Sequence, residues 1–270
     1  MSSDSASTAA PHSTLDRRRR QLLARIASGA GLASSLSALS ACGGGGPDDD
    51  ATLRAVNATM DVASIGVQFN DWLFAGAVAY GRAASSYARR NLWAVCPRGP
   101  FEVRRAGGSV VLLRDTKTLP DGDTASIVVM GNLAAGLRLR VIDEDTARPG
   151  GATARLRLLH AWPLVGAVDA FVTRANQTLT GRDPNHRLGA YESLSAYADV
   201  DGRLRISPAG RTDLVLFDSA SIGLAANQVA TLVVSPAPGA ARVAVAVLPQ
   251  GLPAYVLANT VVTSQHGETQ

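Results

Sequence analysis

The stretch Arg157-Leu158-Leu159-His160-Ala161-Trp162 decides how the chain is read. A histidine and a tryptophan close an apolar run, and Asp169 follows shortly after, so the segment has the composition of a catalytic strand end. An echo changes that reading. Arg54-Ala55-Val56-Asn57-Ala58 lies 103 residues earlier with the same outline, and Asn57 stands where the later segment has His160. Asparagine cannot act as a general base, whereas either side chain can bridge a turn by hydrogen bonding. A position that takes both is expected to serve the fold.

The echo continues along the chain. At the same shift of 103, Ile65-Gly66-Val67-Gln68-Phe69 falls on Val168-Asp169-Ala170-Phe171-Val172. The register slips to 110 where Ser85-Ser86-Tyr87 meets Ser195-Ala196-Tyr197. It returns to 103 for Ala106-Gly107 on Ala209-Gly210 and for Leu112-Leu113-Arg114-Asp115 on Val215-Leu216-Phe217-Asp218. Ala125 to Val129 then matches Ala230 to Val234 at 105. A shift that wanders and recovers is what a duplicated domain with insertions produces. The expected organisation is a first repeat at 51–148, a second at 152–250, and a C-terminal strand or tail at 251–270.

Both repeats read as β. Leu137, Leu139 and Val141 alternate with Arg138 and Arg140, and Leu204 and Ile206 alternate with Arg203 and Arg205. That period of two puts apolar side chains on one face and charge on the other. Phe101 and Val103 against Glu102 and Arg104 do the same, while Val243, Val245 and Val247 alternate with alanines, which suits a strand covered on both faces. Turn signals separate the runs at Pro120-Asp121-Gly122-Asp123, Asp183-Pro184-Asn185 and Asp199-Val200-Asp201-Gly202. The fold class expected is all-β, with two tandem sandwiches of about seven strands each.

The second repeat resembles domain-of-unknown-function family 4397. The resemblance rests on Arg157 to Ala161, Ala167 to Val172, Tyr191 to Tyr197 and the Pro208-Ala209-Gly210 turn, and it covers roughly 152–250. The first repeat departs from it with Asn57 and Gly66 in place of the histidine and aspartate. The resemblance implies an immunoglobulin-like β-sandwich in a bacterial envelope or secreted protein. It implies no activity.

The N-terminus is ordered like an export signal. Arg17-Arg18-Arg19-Arg20 precedes a weakly apolar Ala/Ser/Leu/Gly segment, which ends in Leu39-Ser40-Ala41-Cys42. Those last four residues resemble the lipobox of bacterial lipoproteins, so 1–42 is expected to be a signal peptide and Cys42 a lipidated residue. Gly43 to Gly46 and Pro47-Asp48-Asp49-Asp50 form a flexible, solvated linker at 43–50. Arg19-Arg20-Gln21-Leu22-Leu23 resembles a twin-arginine export motif, without its usual flanking Ser/Thr and Lys. The absence of Asp directly after Cys42 resembles outer-membrane sorting in a Gram-negative cell.

Composition narrows the partners. Hydrophobic residues at 46% and charged residues at 18% describe a chain that can bury a core. Of 26 basic side chains five lie in the first 42 residues, as do two of 22 acidic ones, so the remainder is nearly balanced at 21 against 20. Nucleic-acid binding needs a concentrated positive surface and is not expected. No cofactor motif and no metal-ligand spacing is present; the Asp121/Asp123 and Asp199/Asp201 pairs are read as turns.

Candidate sites are few. Cys96 has no partner once Cys42 carries lipid and reads as a buried small hydrophobe. His266 sits in a polar tail, and His186 reads as a solvated turn residue. His160 with Asp169 is the sharpest pair: an envelope hydrolase or metal-dependent enzyme would be built on it. The structural reading is preferred, and no enzymatic activity is expected. Trp93, in the Leu92-Trp93-Ala94-Val95 run, together with His160, Trp162 and Asp169, marks the candidate partner surface. The partners expected are the membrane through the lipid, and a protein, glycan or cell-wall surface.

Overall fold

The computed structural model describes residues 50–91, 97–119, 124–144, 147, 149–150, 152–174, 176–237 and 243–258. The signal segment with Cys42, the run containing Trp93 and Cys96, Asp121 to Asp123 and His266 lie outside these residues. The described residues fall within one compact unit. They are all-β, with no helix among them.

The first half contributes β1 (Asp50–Thr59), β2 (Ser64–Phe69), β3 (Trp72–Ala79), β4 (Arg82–Ala83), β5 (Ala88–Asn91), β6 (Arg98–Arg105), β7 (Val111–Thr118), β8 (Thr124–Asn132) and β9 (Gly136–Asp143). One sheet runs β4-β1-β8-β9, with β5 also on β1, and the other runs β3-β2-β6-β7. The second half contributes β10 (Ala154–His160), β11 (Val168–Thr173), β12 (His186–Leu188), β13 (Ala198–Val200), β14 (Arg203–Pro208), β15 (Phe217–Asp218), β16 (Val229–Pro236), β17 (Val243–Pro249) and β18 (Tyr255–Leu257). Its sheets run β13-β10-β16-β17-β18 and β12-β11-β14-β15. In each half the opening strand pairs in parallel with a late one, β1 with β8 and β10 with β16.

Alternation builds both cores. Leu53 and Ala55 of β1, Val67 and Phe69 of β2, Phe101 and Val103 of β6, and Ile127 and Val129 of β8 meet between the first two sheets. Leu156 and Leu158, Ala170, Leu204 and Ile206, Leu232 and Val247 do so in the second half. Each half is therefore a β-sandwich. They differ on one side: β7 has eight residues, whereas β15 has two. There the C-terminal β18 pairs with β17, and its Leu257 enters the second core.

The opposite parity makes a third core. Val56, Ala58, Val128 and Met130 face Leu159, Ala161, Val233 and Ala246 across the junction of the two sandwiches. This explains why Val243, Val245 and Val247 alternate with small alanines: both faces of β17 are covered. Tyr80 donates to the carbonyl of Pro236, and Arg140 to that of Glu192. Near the start of β1, Arg54 reaches the carbonyls of Pro249 and Leu252 (3.3 and 3.2 Å) at the end of β17. β1 and β10 thus begin at the same end of the molecule.

Two charged positions depart from the alternation rule. Arg54 and Arg205 point away from their own cores yet are 1% and 6% exposed. Arg54 is covered by the other sandwich, and Arg205 is held by Thr173 and by the Gln177 carbonyl beyond β11. His186 departs from expectation in the same way. It is a β12 residue paired with Ala170 and 4% exposed, because the insertion folds back as an edge strand instead of looping into solvent.

Candidate functional site

β10 ends at His160, whose ring is fully buried. Nε2 lies 2.8 Å from the carbonyl of Gly166, and Nδ1 accepts the Trp162 N–H at 3.3 Å. These contacts set the tautomer: the proton sits on Nε2. Burial pushes the imidazole pKa down and keeps the ring neutral, although the Gly166 carbonyl acts in the other direction. Asn57 makes the corresponding set of bonds in the first sandwich. Its Nδ2 donates to the carbonyls of Val62 and Val78 (both 3.0 Å), and its Oδ1 accepts the Thr59 N–H at 3.2 Å. In both places a strand-end side chain gives an N–H to the following loop and takes one from two residues ahead.

Asp169 does not join His160. Its Oδ2 accepts the Gly210 N–H at 2.8 Å and pins the turn after β14, where Ala209 also donates to Ala167 (2.9 Å). Trp162 is 6% exposed and packs into the second core. His160 and Trp162 are buried on the core side, Asp169 is 8% exposed on the other face of β11 at the turn it holds, and Trp93 lies outside the described residues.

His186 is the other buried histidine. Its Nδ1 is 3.0 Å from Ser195 Oγ, which accepts the Leu158 N–H at 2.9 Å. Burial holds its pKa down at about 4. With its hydroxyl engaged by the β10 backbone, Ser195 acts as a staple between β10 and β12. Asp199 and Asp201 are both exposed, the first within the edge strand β13 opposite Arg155 and the second just beyond it. Asp201 lies where the chain passes from one sheet to the other, not in a hairpin. Among the described residues no three His, Cys, Asp or Glu side chains gather into a metal site.

The junction holds polar chemistry that the sequence reading passed over. Arg54 donates to Ser126 Oγ (3.3 Å) and Glu144 Oε1 (2.8 Å), and its guanidinium lies 4.4 Å over the Tyr87 ring. Arg157 donates to Thr231 Oγ1 (3.1 Å) and lies 4.5 Å over the Tyr197 ring. Arg54/Arg157, Tyr87/Tyr197 and Ser126/Thr231 are matched pairs at shifts of 103, 110 and 105. Three stretches far apart in sequence thus converge on one arrangement in each half. The halves differ at Glu144, whose carboxylate Tyr87 also contacts at 2.5 Å; at the matching place in the second half Gln250 Nε2 donates to the Tyr197 hydroxyl at 3.4 Å. The available signal was an arginine at the same place in both repeats.

A cleft of about 370 Å³ opens at the starting end of β10. Arg174, Asp201, Arg203 and Ser221 are among its walls.

Comparison with curated proteins returns no match. Residues 51–171, the first sandwich together with β10 and most of β11, match the family described as Domain of unknown function (DUF4397), which supports placing this part of the chain in that family.

Proposed function

We propose that this chain is an exported, lipid-anchored cell-envelope protein whose two immunoglobulin-like sandwiches arose by tandem duplication and serve a binding or structural role. The observation that carries the role is the employment of His160 and Asp169. Each satisfies a different backbone turn, and His160 shares its task with Asn57, which has no acid–base chemistry. That speaks against the hydrolase or metal-enzyme reading of the pair. The matched Arg/Tyr/hydroxyl sets of the two halves support duplication. The anchor rests on the order of basic run, apolar segment, Leu39-Ser40-Ala41-Cys42 and glycine leash. Two acyl chains hold a protein on a membrane where one is marginal. Twin-arginine export and outer-membrane residence complete the proposal.

Cys42→Ser tests the anchor: the protein is expected to leave the membrane fraction or to accumulate unprocessed. Unchanged membrane association of a processed variant would overturn it. Crosslinking in the native envelope tests the binding role, with a protein, glycan or cell-wall neighbour expected in place of nucleic acid.

A further inference from the structure

We propose that the cleft at the starting end of the second sandwich binds a ligand through its phosphate group, with Arg203 and Arg174 as the recognising residues. The proposal goes beyond the envelope reading and does not depend on the anchor. Three observations carry it.

The first is shape. The cleft of about 370 Å³ is of ligand size, and Thr173, Arg174, Asp201, Gly202, Arg203 and Ser221 contribute to its wall. Gly202 has φ +143°, and a Cβ there would lie 2.5 Å from the carbonyl oxygen of Thr173. Only glycine lets the two wall segments meet this closely.

The second is charge. Arg203 Nη1 stands 3.5 Å from Asp218 Oδ2, a long ion pair, and its Nε is buried with no hydrogen-bond partner among the described residues. Arg205 lies behind it, held by the neutral oxygens of Thr173 (3.0 Å) and Gln177 (2.5 Å). Arg182 and Arg203 both act electrostatically on Arg205, and Asp218 opposes them. The charged side chains of the wall are Arg174, Arg203 and Asp201, a net of one positive charge, with Arg205 and Asp218 alongside Arg203 in a partly desolvated setting. Such a setting strengthens attraction for an anion.

The third is divergence within a shared frame. In the first sandwich Gly99 stands for Gly202 and Asn70 for Thr173. Those two also approach closely: a Cβ on Gly99 would lie 2.2 Å from Asn70 Oδ1. Around them the charges reverse. Asp71 replaces Arg174 and Pro100 replaces Arg203. The cross-strand pair Arg205↔Asp218 becomes Glu102↔Arg114. The wall differs too. β7 continues for eight residues, whereas the chain leaves β15 after two and forms the 219–228 loop that lines the cleft. Strand pairing alone requires neither the opening nor the excess of arginine.

The test is calorimetric titration of the full chain with inorganic phosphate and with glycerol 3-phosphate, using chloride at matched ionic strength as control. Vesicles of phosphatidylglycerol and of phosphatidylcholine form a second arm. Arg174→Gln alters an exposed side chain and is expected to weaken binding about 10-fold, the loss of one charge-assisted contact. Ala220→Trp fills the cleft and is expected to abolish binding. Melting curves check that both variants are folded. Binding of the soluble phosphates, lost in both variants, assigns a soluble ligand. Binding of phosphatidylglycerol vesicles alone, lost in both variants, assigns a lipid headgroup to the same site. No binding in either arm, or binding that folded variants leave unchanged, overturns the proposal.

Discussion

At position 160 the side chain must offer one N–H to the carbonyl of Gly166 and one acceptor to the N–H of Trp162. An amide meets both demands, as Asn57 does in the first sandwich. His160→Asn is therefore expected to keep the fold at a cost below about 1.5 kcal/mol, whereas His160→Ala leaves two buried backbone groups unpaired and costs about 2–4 kcal/mol. Urea unfolding of the two variants checks the order; equal losses would sink the turn-bridging account. His186 predicts a pH dependence. Its folded pKa of about 4 lies below the ordinary value of 6.5, so between those values the unfolded chain binds a proton that the folded chain refuses. Stability should fall as pH drops from about 6.5 to about 4, by about 3 kcal/mol, and this contribution should level off below. The depressed pKa of His160 acts in the same direction. In His186→Gln the urea midpoint should vary less between pH 7 and pH 4.5 than in the parent; parallel curves would count against the assignment.

Among the elements, β1 joins both kinds of burial. Leu53 and Ala55 enter its own core, while Arg54, Val56 and Ala58 enter the junction. Arg54→Met strands Glu144 without its cation in a buried setting and should cost about 3–5 kcal/mol. Arg54→Met with Glu144→Leu should recover much of that loss, since apolar side chains suit the site once both charges are gone. A double-mutant cycle by urea unfolding measures the coupling, and additive losses would contradict it. Periodicity made much of this architecture legible. The apolar faces at Leu137 and Leu139 and at Leu204 and Ile206 were readable from their alternation, and His160 from its echo in Asn57. What alternation cannot register is a cover supplied by residues distant in sequence. Arg54 and Arg205 have the pattern of solvated strand faces; one is roofed by the other sandwich and the other is held at Thr173 and Gln177. The same limit hid the cleft, whose charged residues flank β11 and β14 while the loop beyond β15 supplies an uncharged wall.

For the whole molecule the decisive feature is the third core. With Val56, Val128 and Met130 packed on Leu159, Val233 and Ala246, neither sandwich can unfold without exposing its neighbour's apolar face. Calorimetry should therefore show one unfolding transition for both halves. Leu159→Asp, which buries an unpaired charge in the junction, should split it into two. Two transitions in the parent chain would show that the halves are energetically independent. The junction also joins two faces of one polypeptide. Its opening is a unimolecular event, so mass action does not weaken it. Two free sandwiches meeting through these faces would separate on dilution, whereas covalent linkage keeps each at a high effective concentration about the other, of millimolar order for a short linker. The melting temperature should then be independent of protein concentration, and a single molecule isolated from all others of its kind would keep its paired form.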